Sequence, residues 1–199
     1  MASDGLGPWE PLDLSAAVAI FRAFPPGCWW INGGYALELH LGRSWRSHDD
    51  LDIGVLRASI PALAGVLPGW DIRVAASGIL FPWNGTVPLV EESQNNLWCR
   101  EDIGRPWCLD VTVGDGDERS WVFRRNPVIR IPWKEAVLRS EQGVPYIAPE
   151  LQLLFKSRDC RPKDDRDAAE VIPVLTANRR NRLHDLLAED HPWQALLKE

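Results

Sequence analysis

The sequence predicts an α+β fold, a mixed β-sheet core with flanking helices followed by a small helical C-terminal region, and three observations carry that expectation. Short runs rich in β-branched and aromatic residues, bounded by Gly, Pro and Asp, recur along the chain as far as Val113, as strands do. Apolar residues at helical spacing appear among these runs and dominate after Pro149. The 199 residues suffice for a real core, and 25% charged with 45% hydrophobic residues is ordinary for a globular protein. The expected division is a sheet domain over residues 1–145 and a helical region over 146–199.

The elements follow in order. Leu14, Ala17, Val18, Phe21 and Phe24 have helical spacing behind a cap at Asp13 or Ser15, and Pro25-Pro26 stops the helix. Cys28 to Asn32 reads as a buried strand, and Gly33-Gly34 then allows a sharp turn with room for a ligand. Tyr35 to Leu41 forms a short helix stopped by Gly42, whose free N–H groups beside the glycines suit an anion such as phosphate. Leu51 to Leu56 is a strand, Ile60 to Val66 a helix closed by Pro68-Gly69, and Trp70 to Ala75, Asn96 to Arg100 and Trp107 to Val113 are further strands. In the helical region Leu151, Leu154 and Phe155 mark one face, ended by Pro162. Ala168, Val171, Ile172 and Leu175 mark a second, interrupted at Pro173, and Leu183, Leu186 and Leu187 a third. No internal repeat, heptad or low-complexity tract is present.

The chemistry concentrates in Arg46-Ser47-His48-Asp49-Asp50-Leu51-Asp52. Side chains alternate along a strand, so Asp50 and Asp52 share one face while Leu51, Ile53 and Val55 point into a core. Two carboxylates about 6 Å apart repel by roughly 2 to 3 kcal/mol at an effective dielectric near 20. A divalent cation turns that cost into affinity, and Mg²⁺ typically takes one or two carboxylates and leaves its other positions to water and phosphate. A solvated loop or strand start is the plainer alternative for a bare D-x-D. Leu109 to Val113 alternates cleanly and places Asp110 with Thr112 on one face. Were that strand to lie beside the first, Asp110 would complete a three-carboxylate cluster able to hold two cations and to take a hydroxyl proton.

Gly33-Gly34, Arg43, Arg46, His48-Asp49-Asp50-Leu51-Asp52 and Leu109-Asp110 together resemble the nucleotidyltransferase superfamily with the DNA polymerase beta type of fold, most closely its aminoglycoside and lincosamide branch. The block Pro149 to Lys156 with Arg161 to Asp167 is similar to the helical segment that follows the catalytic domain in related small proteins. The resemblance implies Asp50, Asp52 and Asp110 as catalytic metal ligands, with Asp110 also a possible base, and Gly33 and Gly34 as the phosphate turn. Arg46, His48 and Lys156 are the further nucleotide-binding candidates, each with a structural alternative: a solvated loop arginine, a loop-orienting histidine and a surface lysine. Lys163 and Asp167 rank behind them.

The implied activity is Mg²⁺-dependent transfer of a nucleoside monophosphate from an NTP, ATP being the expected one, to a hydroxyl of an aminoglycoside- or lincosamide-like small molecule, with two Mg²⁺ ions and release of pyrophosphate. Two alternatives stand beside it: a toxin-like transferase acting on tRNA or protein, and a catalytically silent nucleotide-binding module.

Composition narrows the partners. The formal charge of -6 argues against a nucleic-acid footprint, while a local basic groove is compatible with it. Cys28, Cys99, Cys108 and Cys160 lack zinc or redox spacing. The first 13 residues carry no signal-peptide pattern and no apolar run reaches membrane-spanning length, so the expectation is cytoplasmic. Asn84-Gly85-Thr86 matches a glycosylation acceptor but reads as a turn. Among the 11 tryptophans, Trp83, Trp98 and Trp107 could stack on a base or sugar, with core packing the alternative, and Arg179, Arg180 and Arg182 read as a solvated face.

Overall fold

The strand expected over Asn96 to Arg100 and the alternation read along Leu109 to Val113 are realised as two adjacent strands in the middle of a mixed sheet. The structure, a computed structural model, describes residues 6–85, 89 and 94–198. Among these, ten strands join one sheet: β1 (Trp29–Ile31), β2 (Asp52–Leu56), β3 (Asp71–Ala76), β4 (Ile79–Pro82), β5 (Asn96–Arg100), β6 (Leu109–Gly116), β7 (Ser120–Val122), β8 (Arg130–Pro132), β9 (Val137–Arg139) and β10 (Pro145–Ile147). The spatial order is β4-β3-β5-β6-β2-β1-β10-β9, with β7 and β8 continuing from the far end of β6. β2 runs parallel to β6 and β1 parallel to β10, while the neighbouring pairs β1–β2 and β5–β6 are antiparallel.

The described helices are α1 (Leu14–Phe21), α2 (Gly33–Leu41), α3 (Leu63–Val66), α4 (Trp133–Ala136), α5 (Pro149–Lys156), α6 (Pro162–Val171), α7 (Ala177–Leu186) and α8 (Gln194–Leu197). Asp13 caps α1, its carboxylate accepting from Ser15 N at 2.7 Å. Gly42, at φ 66°, ends α2 in the left-handed region that favours glycine. The alternating inner faces of β2 and β6, Ile53, Val55, Val111 and Val113, share a single core with Leu151, Leu154, Val171 and Leu183 from the helices.

Several expectations shift. α2 begins at Gly33 rather than Tyr35, so the glycine pair is the first turn of the helix. β2 begins at Asp52, and Asp50 precedes the strand: the pairing to β1 starts at Ile53 and that to β6 at Asp52. Ile60 to Val66 is a 3₁₀ turn from Arg57 to Ala62 followed by the single turn α3, since Pro61 lacks the N–H an α-helix interior uses. Trp107 stands before β6 and bridges instead to Trp9. α5 stops at Lys156, and Pro162 opens α6, where its missing N–H costs nothing. At Pro173 the helix gives way to a 3₁₀ turn over Ile172–Val174.

Strands β4 and β7 to β10 have four residues or fewer and leave no periodic signal in sequence. β10 crosses residue 145 and pairs Tyr146 with Ile31, so the sheet continues to the foot of α5. The arginines of α7 are not a solvated face. Arg179 donates to both oxygens of fully buried Glu150 at 2.6 and 2.7 Å, Arg182 joins at 2.9 Å, and Arg180 donates to the carbonyls of Ile172 and Pro173.

Candidate active site

Parallel pairing of β2 and β6 puts Asp52 level with Asp110 and Gly54 level with Thr112. Because successive side chains alternate, Asp52 and Asp110 project together from the face opposite the core, on strands spaced about 4.8 Å. Asn96 on β5 donates from Nδ2 to Asp110 Oδ1 at 2.8 Å, and Asn32, just ahead of α2, donates to Thr112 Oγ1 at 2.6 Å. Desolvation pushes the Asp110 carboxyl up to about 7; the Asn96 hydrogen bond opposes it and the charge of Asp50 adds to it. Asp52 is raised well above the usual carboxylate range by desolvation and then by Asp110 and Asp50. The pair therefore repels, and only protonation or a cation relieves it.

The glycines are where these acids meet the helix. Gly33 has φ +68°, and a Cβ there would overlap the Asp52 carboxylate, so glycine is required both for the backbone and for that close approach. Gly33 N donates to Gln152 Oε1 of α5 at 2.9 Å, which occupies one of the helix-start N–H groups expected to face an anion. A Cβ on Gly34 would overlap the His48 ring and the Arg46 guanidinium.

Arg46 is tied rather than solvated. Its Nε and Nη2 donate to the two oxygens of Asp167 at 2.8 and 2.9 Å, and its Nη1 lies 2.9 Å from His48 Nδ1. The His48 ring stacks on Tyr35 at 4.2 Å, and its Nε2 is 2.9 Å from Glu38 Oε1 without a hydrogen-bonding angle. Lys156 is almost wholly buried between Asp164 at 2.8 Å and Asp167 at 3.0 Å. Lys163 faces exposed Asp49 at 3.3 Å, a rim pair of the kind that contributes little. Arg161 and Lys156 hold the Asp164 carboxyl down at about 2 against the effect of burial.

Two chambers share Asp52 in their walls. One, of about 340 Å³, is lined by Gly33 and Gly34, by the cations Arg46, Arg125, Lys156, Arg161 and Lys163, and by the acids Asp50, Asp52, Asp159 and Asp164, the last held by Lys156 and Arg161. The other, of about 200 Å³, is walled by Trp30, Trp121, Phe155, Asn96, Thr112 and Arg124 among others. Gly33, Asp52, Arg125, Gln152 and Phe155 border both.

The donor chemistry fits a hard divalent cation: carboxylate oxygens alone, two of them desolvated and mutually repelling, with Asp50 at the edge of the cationic chamber. Among the described residues no three acidic, histidine or cysteine groups converge on a single ion position, so Mg²⁺ held here would need oxygens of a bound phosphate to complete its shell.

No protein-family model matches the chain, and no curated protein matches it in sequence. Solved structures do. A lincosamide antibiotic adenylyltransferase, LnuA, in its lincomycin-bound crystal structure, superposes over 83% of this chain and 100% of its own, with a TM-score of 0.57 and 19% identity. The antibiotic-resistance factor ANT(2'')-Ia, in its solution structure, covers 92% of this chain and 90% of its own, with a TM-score of 0.52 and 19% identity. The chain has the nucleotidyltransferase fold.

Within this nucleotidyltransferase fold the structure brings Gly33, Gly34, Arg46, Asp50, Asp52 and Lys156 to one chamber, and sets Asp110 beside Asp52. His48 lies behind Gly34 and lines neither chamber. Trp98 and Trp107 meet edge-on at 5.9 Å and line neither chamber, Arg100 covering Trp107, while Trp98 stands level with Asp110 and acts on its carboxyl; Thr86 of the Asn84-Gly85-Thr86 triplet lies outside the described residues. The tryptophans that do line the site are Trp30 and Trp121. Sequence reasoning also missed Asn32, Asn96, Arg124 and Gln152. One signal was available: Gly54 and Gly114 share the face of Asp52 and Asp110, and both are the space into which the Trp30 indole fits.

Proposed function

We propose that the protein is an Mg²⁺-dependent nucleotidyltransferase that moves a nucleoside monophosphate from an NTP, ATP by preference, to a hydroxyl of a small molecule, releasing pyrophosphate. The observation that carries this reading is the level pairing of Asp52 and Asp110 beside Gly33, at the edge of a chamber of five cations. The lincosamide and aminoglycoside kind of acceptor is the starting class, because LnuA is an adenylyltransferase solved with lincomycin.

Asp50, Asp52 and Asp110 would hold Mg²⁺, two ions in the expected arrangement, which would neutralise triphosphate oxygens and acidify the acceptor hydroxyl. The cationic chamber takes the triphosphate. There Lys163, on the rim, is the least committed cation, whereas Arg46 and Lys156 are engaged by Asp167 and chiefly fix the chamber's wall. Asp110 accepts the hydroxyl proton as the acceptor oxygen bonds to the α-phosphorus in line and the bond to the pyrophosphate oxygen breaks. Asn96 keeps the Asp110 carboxylate aimed for that transfer.

The test is incubation with Mg²⁺ and each α-labelled NTP, with lincosamides, aminoglycosides and hydroxyl compounds built on neutral and anionic aromatic rings in one arm and cell RNA and protein in the other. Label on a small molecule together with pyrophosphate is the expected result. Label confined to macromolecules rejects the small-molecule acceptor, and Mg²⁺-dependent triphosphate binding without pyrophosphate across the panel rejects transfer.

A further inference from the structure

The two chambers share Asp52 and differ in chemistry, and that difference assigns their occupants. In-line transfer puts the leaving pyrophosphate and the attacking hydroxyl on opposite sides of the α-phosphorus. The cationic chamber, with Lys163, Arg161 and Lys156, is the pyrophosphate side. The other chamber is bordered by Asn96, which holds Asp110, and by Thr112, the next residue on the same face of β6. It is therefore the hydroxyl side.

That hydroxyl-side chamber has three flat apolar walls. Trp30 lies over Gly54 and Gly114, Trp121 meets the Phe155 ring edge-on at 6.0 Å, and Phe155 closes the side toward α5. Its charged lining among the described residues is Asp52, engaged with the metal side, and two arginines. Arg124 and Arg125 both lie over Phe155, their guanidinium carbons 5.5 and 5.4 Å from the ring centroid. Arg125 is committed to the Phe155 carbonyl at 2.7 Å.

Arg124 is different. Asp115, the acid that acts on it most strongly, is already held by Arg57 through Nε at 2.5 Å and Nη2 at 3.0 Å, and Asp110 and Asp52 act on it less strongly and without a hydrogen bond. Burial of its guanidinium lowers its pKa, and an anion in the chamber would reverse that cost. A guanidinium fixed over a ring, beside two indoles, matches a flat molecule with a carboxylate or phosphate and opposes a polycation.

We propose that the acceptor chamber selects a hydroxyl compound built on a flat apolar ring and bearing an anionic group for Arg124, and disfavours aminoglycoside-like polycations. Naming the occupant as acceptor rests on the transfer reading above. The preference itself is a property of the chamber and is measurable without turnover.

Three probes share one ring and one hydroxyl and differ in charge: 4-(hydroxymethyl)benzoate, 4-(hydroxymethyl)benzamide and 4-(hydroxymethyl)benzylamine. Binding to the full chain is followed by calorimetry and by quenching of tryptophan fluorescence, with Mg²⁺ and a non-hydrolysable triphosphate present and absent. Benzoate should bind on the order of tenfold tighter than benzylamine. R124K should keep the order of preference and R124Q should remove it. Equal or tighter binding of benzylamine, or an unchanged preference in R124Q, overturns the proposal. Loss in R124Q of the thermal stabilisation given by Mg²⁺ and triphosphate also overturns it, because Arg124 would then belong to the nucleotide. If the unaltered protein shows no such stabilisation, the transfer reading fails, and the same titration still decides the chamber's preference.

Discussion

Replacing Asp167 by alanine should remove the anchor that joins the acidic loop to the C-terminal helices. Asp167 is fully buried and accepts from Arg46 Nε at 2.8 Å, Arg46 Nη2 at 2.9 Å and Lys156 Nζ at 3.0 Å. Its carboxyl is held down by Arg46 and Lys156 in spite of burial. Removing one partner of a buried ion pair costs about 3 to 5 kcal/mol, because the other charge stays behind. Here Lys156 keeps Asp164 and Arg46 keeps the Ser47 carbonyl, which places the expected loss near the low end, about 3 kcal/mol. For a chain of this size each kcal/mol moves Tm by roughly 2 to 4 °C, so Tm should fall by about 6 to 12 °C. Circular dichroism melts at pH 7 without metal provide the measurement. In a double-mutant cycle, Asp167→Ala with Arg46→Met should show a coupling of about 1 kcal/mol or more. A fall of under about 2 °C, or additive effects of the two changes, would refute the anchoring argument.

The remaining predictions follow from the acids and the glycine. Asp52→Asn or Asp110→Asn should abolish transfer while raising Tm in metal-free protein at pH 7, since either change removes the mutual repulsion; a lowered Tm for both in melts would contradict the electrostatic account. The folded protein binds more protons at Asp52 and Asp110 than the unfolded chain does between the free-aspartate range near 4 and about 7, so metal-free stability should fall as pH rises through that window. Asp164 and Asp167 act oppositely: their stabilisation is present above about 4 and is lost as pH falls toward about 2. Thermal melts across pH should therefore show a maximum between these ranges, and a profile level from pH 4 to 7 would count against it. Gly33→Ala combines a positive φ, costing about 1 to 2 kcal/mol, with displacement of the Asp52 carboxylate; Mg²⁺-linked triphosphate stabilisation should disappear while the fold survives, which paired melts with and without Mg²⁺ and triphosphate would reveal.

Much of the fold was legible because its longer elements carry their own periodicity. Leu109 to Val113 reads as a strand from its alternation and pairs on both sides within β6. Gly42, Pro25-Pro26 and Asp13 mark helix ends through backbone preferences that do not depend on context. The short strands β7 to β10 were not legible, since three-residue segments acquire extended structure only from the neighbours that accept their hydrogen bonds. Pro162 shows the limit of a local rule: a proline both ends and begins helices, and only the path of the chain chooses.

The site divides along the same line. Residue identity by itself determined the carboxylates, the glycine pair and the cations around them, because each of those chemistries belongs to a side chain or to a missing one. Tertiary structure alone decided that Asp52 stands level with Asp110, that Arg46 and Lys156 share Asp167, and that Trp30, Trp121 and Arg124 wall a second chamber. The physical reason is that register, charge pairing and cavity shape are relations between segments far apart in the chain. Periodicity reports which face a residue takes, and only packing sets what stands opposite it.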